Sequence, residues 1–125
     1  MIGRVQTYAL DCPDPLALAR FYQQLVGGEI EEDDEIQDSD DGWVTLKPES
    51  GTPISFQRVP GFVAPTWPSQ ERGQQGHIDI GVGDIAKAHE QVLSLGAELL
   101  EDWDGAKSWR VYADPAGHPF CLVRE

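Results

Sequence analysis

Two stretches of this chain set the fold when written one above the other: Thr7–Ile30, TYALDCPDPLALARFYQQLVGGEI, and His77–Leu99, HIDIGVGDIAKAHEQVLSLGAEL. At an offset of 70, Asp14 falls on Asp84 and Leu25 on Leu95; one skipped residue then sets Gly27 on Gly96 and Glu29 on Glu98. Each stretch opens with alternation, the mark of a strand, and then passes a turn. Asp14 followed by Pro15 is a helix start, with a side-chain cap and a proline at the first helical position. Leu18, Phe21, Tyr22 and Leu25 recur at helical spacing, and Gly27-Gly28 stops the run. In the second stretch Asp84 and Gly96 take the same two jobs.

A further pair matches at an offset of 66: GWVTLKPESGTPISFQR from Gly42 over SWRVYADPAGHPFCLVR from Ser108. Trp43 meets Trp109, Gly51 meets Gly117, Pro53 meets Pro119 and Arg58 meets Arg124. Matches in the same order at nearly the same offset indicate a duplication. Each copy reads as strand, helix and three strands. Strands are expected at 7–12, 29–35, 42–47 and 53–58, then at 77–82, 98–102, 108–113 and 119–124, with the second helix over 84–95. The expected fold is α+β: two tandem βαβββ units forming a mixed concave sheet with helices on its outer face. Residues 1–125 are expected to form one domain, with repeat 1 over about 1–59, a linker over about 60–75 and repeat 2 over about 76–125.

The 125 residues carry 22 acids and 9 Lys plus Arg, a formal charge of −13, and the hydrophobic share of 40% suffices for one core. Such acidity argues against a nucleic-acid partner, because phosphate contacts need Lys and Arg. No window approaches the ~18 apolar residues of a membrane span, and the first residues lack the features of a secretory leader. Cys12 and Cys121 form neither a CxxC pair nor a framework, so reduced thiols and a cytoplasmic location are expected. Nine of the acids lie in Glu29–Asp41, EIEEDDEIQDSDD, and without them the balance is −4. A solvated hairpin guarding a strand edge is the ordinary reading of such a run.

Strand parity separates two faces. Tyr8, Leu10, Cys12, Val44, Leu46, Ile54, Phe56, Ile78, Ile80, Val82, Phe120 and Leu122 form the set that packs under helices. The opposite set contains Thr7, Trp43, Thr45, Ser55, Gln57, His77, Asp79 and Cys121. A small-molecule pocket lined by Thr7, Trp43, Ser55, Gln57, His77, Asp79 and Cys121 follows from that geometry alone.

Paired βαβββ units, the phrases CPDPLALARFYQQLVGGEI and HIDIGVGDIAKAHEQVLSLGAE, and the closing ADPAGHPFCLV resemble the vicinal oxygen chelate superfamily. Glyoxalase I, bleomycin-resistance proteins and extradiol dioxygenases belong to it, and PTWP followed by QQGHIDI is similar to actinobacterial glyoxalase-like proteins. The resemblance implies a divalent metal held by one ligand from each of four strands, commonly His or Gln, Glu, His and Glu. Those positions fall on Thr7, Ser55, His77 and Cys121, so only His77 matches the family pattern, with Gln57 a substitute for Ser55 after a register shift. No cofactor and no metal ligand set are therefore expected. A non-standard divalent site from His77, Cys121 and Asp79 is the alternative. The resemblance also implies a homodimer.

Several residues carry two readings. His77 either contacts a ligand or bonds a neighbouring carbonyl. Cys121 is either a pocket residue or a small buried hydrophobe, and Cys12 is core. His118 is assigned to an exposed turn and His89 to a helix surface. Trp43 and Trp109 are ligand walls or packing anchors, and Trp67, in a Pro-flanked linker, is a lid, a dimer contact or a ligand wall. The leading function is small-molecule binding of the glyoxalase/bleomycin-resistance type, favoured by four tryptophans and acidic surroundings that attract cations. The alternative is a lyase, isomerase or dioxygenase that is metal-dependent or uses His77 and Asp79 as general base.

Overall fold

The computed structural model describes residues 1–32, 42–101 and 108–125. Most of the acidic run, residues 33–41, lies outside the described residues, as do the expected end of the second strand and residue 102 of the sixth. The chain divides into two compact units, Met1–Phe62 and Val63–Glu125. The first contains β1 (Tyr8–Cys12), α1 (Pro15–Val26), β2 (Glu29–Glu32), β3 (Trp43–Lys47) and β4 (Ile54–Arg58). The second contains β5 (Ile78–Val82), α2 (Ile85–Ser94), β6 (Glu98–Glu101), β7 (Trp109–Ala113) and β8 (Pro119–Arg124). This is the α+β pattern of two tandem βαβββ units, with each observed strand inside its expected range.

Both helices start as their sequences dictate. Asp14 is extended, and its side chain accepts a hydrogen bond from the Ala17 N–H at 3.2 Å, with Pro15 following; Asp84 accepts from the Lys87 N–H at 3.1 Å. Gly27 ends α1 and Gly28 follows, both at positive φ. At Gly28 a Cβ would strike the Lys47 carbonyl, so only glycine lets β2 leave the helix beside β3.

Each unit builds its own four-stranded mixed sheet, ordered β1-β4-β3-β2 and β5-β8-β7-β6. β1 runs parallel to β4, with Ala9 opposite Ser55, and β5 runs parallel to β8, with Asp79 opposite Cys121. The other neighbours are antiparallel. The parallel pairs arise because the chain must cross over the sheet through a helix and two strands before closing on its first strand.

In the first unit α1 covers β3 and β4, where Leu18, Phe21 and Tyr22 meet Val44, Leu46 and Phe56, all buried. Tyr22 stacks on Phe56 at 5.7 Å. In the second unit Val92 and Ala88 of α2 are buried over β8, and Tyr112 stacks on Phe120 at 5.6 Å. Each buried aromatic or aliphatic side chain contributes about 1.5–3 kcal/mol. One parity assignment fails: Tyr8 is 61% exposed. It shares the face of Cys12, but β1 is an edge strand and α1 sits over its neighbours, so the strand's first residue is not covered.

Residues 63–76 belong with the second unit. Thr66 pairs with Gly73, its N–H donating to the Arg72 carbonyl at 2.9 Å and its hydroxyl to the Ser69 carbonyl at 2.9 Å. This part of the expected linker is thus a closed, self-bonded loop.

Candidate functional site

On the second unit, His77 and Asp79 are two residues apart along β5 and its approach, so their side chains leave the same face. Cys121 of β8 is the register partner of Asp79 and shares that face. His77 Nε2 lies 3.2 Å from Asp79 Oδ1, and the ligand atoms of His77, Asp79 and Cys121 all fall within 4.8 Å of one another. His77 and Asp79 are exposed, while Cys121 is 8% exposed. Burial first, then the charge of Asp79 and a hydrogen bond to it, push the Cys121 thiol up from 9.0 to about 11. Cys121 is therefore a protonated thiol at neutral pH rather than a nucleophile. His77 thus has a side-chain partner two residues on, across the entry to β5.

The equivalent positions of the first unit are Thr7, Ala9 and Ser55. Here hydroxyls replace charge. Thr7 Oγ1 and Ser55 Oγ lie 2.7 Å apart, Thr7 also donates toward the Pro53 carbonyl at 3.1 Å, and Ser55 meets Thr45 Oγ1 at 3.0 Å. Trp43 Nε1 donates to the same Thr45 oxygen at 3.0 Å. Ser55 is 1% exposed, so its hydroxyl needs those partners. Thr45 completes this cluster; the signal for it was its place two residues from Trp43, on the same face of β3. Gln57 lies opposite Trp43 and Asp11, and the ladder around Ser55 carries no register shift that would bring Gln57 to its position.

The remaining candidates are placed as follows. Trp109, 38% exposed, pairs in register with Val123, and Trp67 is half-buried in the 66–73 loop next to a cis peptide bond to Pro68. Cys12 is fully buried, its thiol donating to the Gln57 carbonyl at 3.6 Å. His89 is not simply a surface residue: it is half-buried, with Nδ1 2.8 Å from the hydroxyl of buried Tyr112. Nothing local in the sequence couples residues so far apart. His118 is also half-buried, in a turn whose buried Asp114 accepts from the Ala116 and His118 N–H groups at 2.9 and 3.0 Å.

The family's four-ligand metal set does not fit these residues. Its two positions in the first unit hold neutral hydroxyls already bonded to each other, and hydroxyls with intact protons are poor partners for a divalent ion beside the carboxylates the family pattern calls for. The fourth position holds a thiol.

A duplicated βαβββ chain with a polar face on each sheet defines a class, and comparison with known proteins supplies the family. The family model described as glyoxalase-like domain matches residues 7–123, so the chain belongs to the glyoxalase-like domain family. Among solved structures it is similar to the fosfomycin resistance protein FosX of Listeria monocytogenes, solved with Mn(II) and 1S,2S-dihydroxypropylphosphonic acid: TM-score 0.74, 17% identity, covering 98% of this chain and 93% of that one. A glyoxalase/bleomycin resistance protein/dioxygenase family enzyme from Burkholderia phytofirmans is similar at TM-score 0.67 and 18% identity, covering 98% of each chain. An antibiotic binding protein from a Streptomyces species is similar at TM-score 0.60 and 15% identity, covering 98% of this chain and 96% of that one. These likenesses are of fold, and they lie in the vicinal oxygen chelate superfamily. No curated protein matches the chain. Among the described residues no helix is long and apolar enough to cross a membrane.

Proposed function

We propose that this chain is a small-molecule-binding protein of the glyoxalase/bleomycin-resistance type that works without the family's usual divalent metal set. The observation that carries the reading is the exchange of would-be metal ligands for the bonded hydroxyls of Thr7 and Ser55, 2.7 Å apart. Such a face offers hydrogen bonds and an indole edge rather than Lewis acidity. On the first unit Thr7, Trp43, Ser55 and Gln57 are the proposed contacts; on the second they are His77, Trp67, Trp109 and Cys121. A single domain spanning 1–125, a homodimer and a cytoplasmic setting belong to the same proposal, the last supported by a cysteine content of two with no CxxC pair.

The test is a fluorescence titration of the chelator-treated protein against a panel of aromatic, cationic and phosphonate compounds. Binding should survive the chelator and weaken in Ser55→Ala and His77→Ala. Indifference to every compound, with no change in tryptophan emission, would refute the reading.

A second reading rests on the 3.2 Å contact between His77 and Asp79. If His77 donates its Nε2–H to Asp79, the ring is held and Nδ1 is left as a proton acceptor. This suits a lyase or isomerase that removes a proton from carbon. Turnover lost in His77→Ala and reduced in Asp79→Asn, with ligand affinity kept, would select it.

A further inference from the structure

We propose that His77, Asp79 and Cys121 form a three-donor site for a thiophilic divalent cation, zinc in the first place, built within the second unit alone. His77 and Cys121 stand at two of the positions that the resemblance gives to family ligands, but the set differs in composition. It uses Asp79, whose repeat counterpart is Ala9, and requires nothing from Thr7 or Ser55.

Three observations support it. The first is geometric: His77, one residue before β5, and Asp79 on β5 share a face with the cysteine paired in register with Asp79. Bond lengths of ~2.0–2.3 Å to a tetrahedral zinc place neighbouring donors roughly 3.3–3.8 Å apart. His77 Nε2 and Asp79 Oδ1 are at 3.2 Å, and no pair of donor atoms in the cluster exceeds 4.8 Å. Rotamer adjustments of about 1 Å therefore close the set. Adjacent strands hold its backbone at fixed spacing.

The second is chemical. One imidazole nitrogen, one carboxylate oxygen and one thiolate sulfur form a mixed, borderline-soft donor set. It suits zinc or cobalt and disfavours magnesium, calcium and manganese, which prefer all-oxygen surroundings. A carboxylate and a thiolate beside a neutral imidazole carry two negative charges, matching a divalent cation. On binding, the ion takes the place of the Cys121 thiol proton, which leaves to solvent, and His77 binds through Nε2 as a neutral imidazole that carries its proton on Nδ1.

The third is access. Cys121 is buried at the base, while His77 and Asp79 are exposed at the rim. An ion can enter, and three protein donors leave a fourth position open to water or a ligand atom. The first unit supplies an internal contrast, since Thr7, Ala9 and Ser55 offer two neutral hydroxyls and a methyl group at the same places.

The experiment uses the full chain, stripped with chelator and titrated with Zn2+ and, separately, Co2+. Cobalt bound to a thiolate shows an intense near-ultraviolet charge-transfer band, a readout independent of any activity or organic ligand. One equivalent per chain is expected, with the band abolished in Cys121→Ser and retained in Thr7→Ala. His77→Gln, at an exposed position with little bearing on folding, should weaken binding by more than about tenfold, the loss that even an outer-sphere partner produces. Absence of the band in the unaltered protein overturns the proposal. So does a band that persists in Cys121→Ser, or binding in His77→Gln equal to the unaltered chain. Organic-ligand binding is measured on chelated protein, so the proposal under Proposed function stands or falls separately.

Discussion

Replacing Asp79 with Asn should change the chemistry of a thiol on the neighbouring strand. Burial, then the Asp79 charge and its hydrogen bond, raise Cys121 from 9.0 to about 11. Two pH units lower the thiolate fraction at pH 8 about a hundredfold, from roughly one in ten to roughly one in a thousand. Higher basicity makes each remaining thiolate more nucleophilic, by about eightfold for a Brønsted slope of ~0.45, so the net suppression is about tenfold. The assay is alkylation of metal-stripped protein against pH, with mass spectrometry separating the Cys121 peptide from that of fully buried Cys12. The rate should climb to a midpoint near 11. In Asp79→Asn the charge is gone but burial stays, so the midpoint should fall between 9.0 and about 11. Because the folded chain holds this proton more tightly than the unfolded chain, the stabilisation is complete below pH 9 and lost as pH rises toward about 11. Urea unfolding should weaken across that window, and less steeply in Asp79→Asn. A midpoint of 9.0 in the unaltered protein, or no movement on substitution, would refute the reasoning.

Three further outcomes are expected in equilibrium unfolding. Gly28→Ala combines a positive φ with a clash against the Lys47 carbonyl and should cost more than about 2 kcal/mol, whereas Gly51→Ala, with open space around it, should cost less. Phe120→Ala removes a fully buried ring stacked on Tyr112 and should cost about 3–5 kcal/mol; a loss under 1 kcal/mol would mean that this core is not packed as described. Asp114→Ala deprives the Ala116 and His118 N–H groups of their acceptor and should cost about 1–3 kcal/mol, with Asp114→Asn recovering part.

The two faces of the candidate site were legible because strand alternation is local: knowing that Ile80 is buried settles where Asp79 points. Caps were legible for the same reason, since Asp14 and Asp84 bond N–H groups three residues ahead. Pairings across the chain were not. That Asp79 stands beside Cys121, or that His89 reaches Tyr112, depends on which strands become neighbours, and no window of sequence contains both partners. Tyr8 shows the converse error. Its parity is that of a core residue, yet an edge position left it uncovered.

By itself, the sequence determined the duplicated strand–helix–strand plan, the helix boundaries and the division of side chains between two faces, all consequences of 2.0- and 3.6-residue periods and of local capping. Tertiary structure decided the closing of each sheet by its first and last strands. Parallel pairing is a long-range contact whose register no local period encodes, and through it an imidazole, a carboxylate and a thiol that are dispersed along the chain become one chemical group.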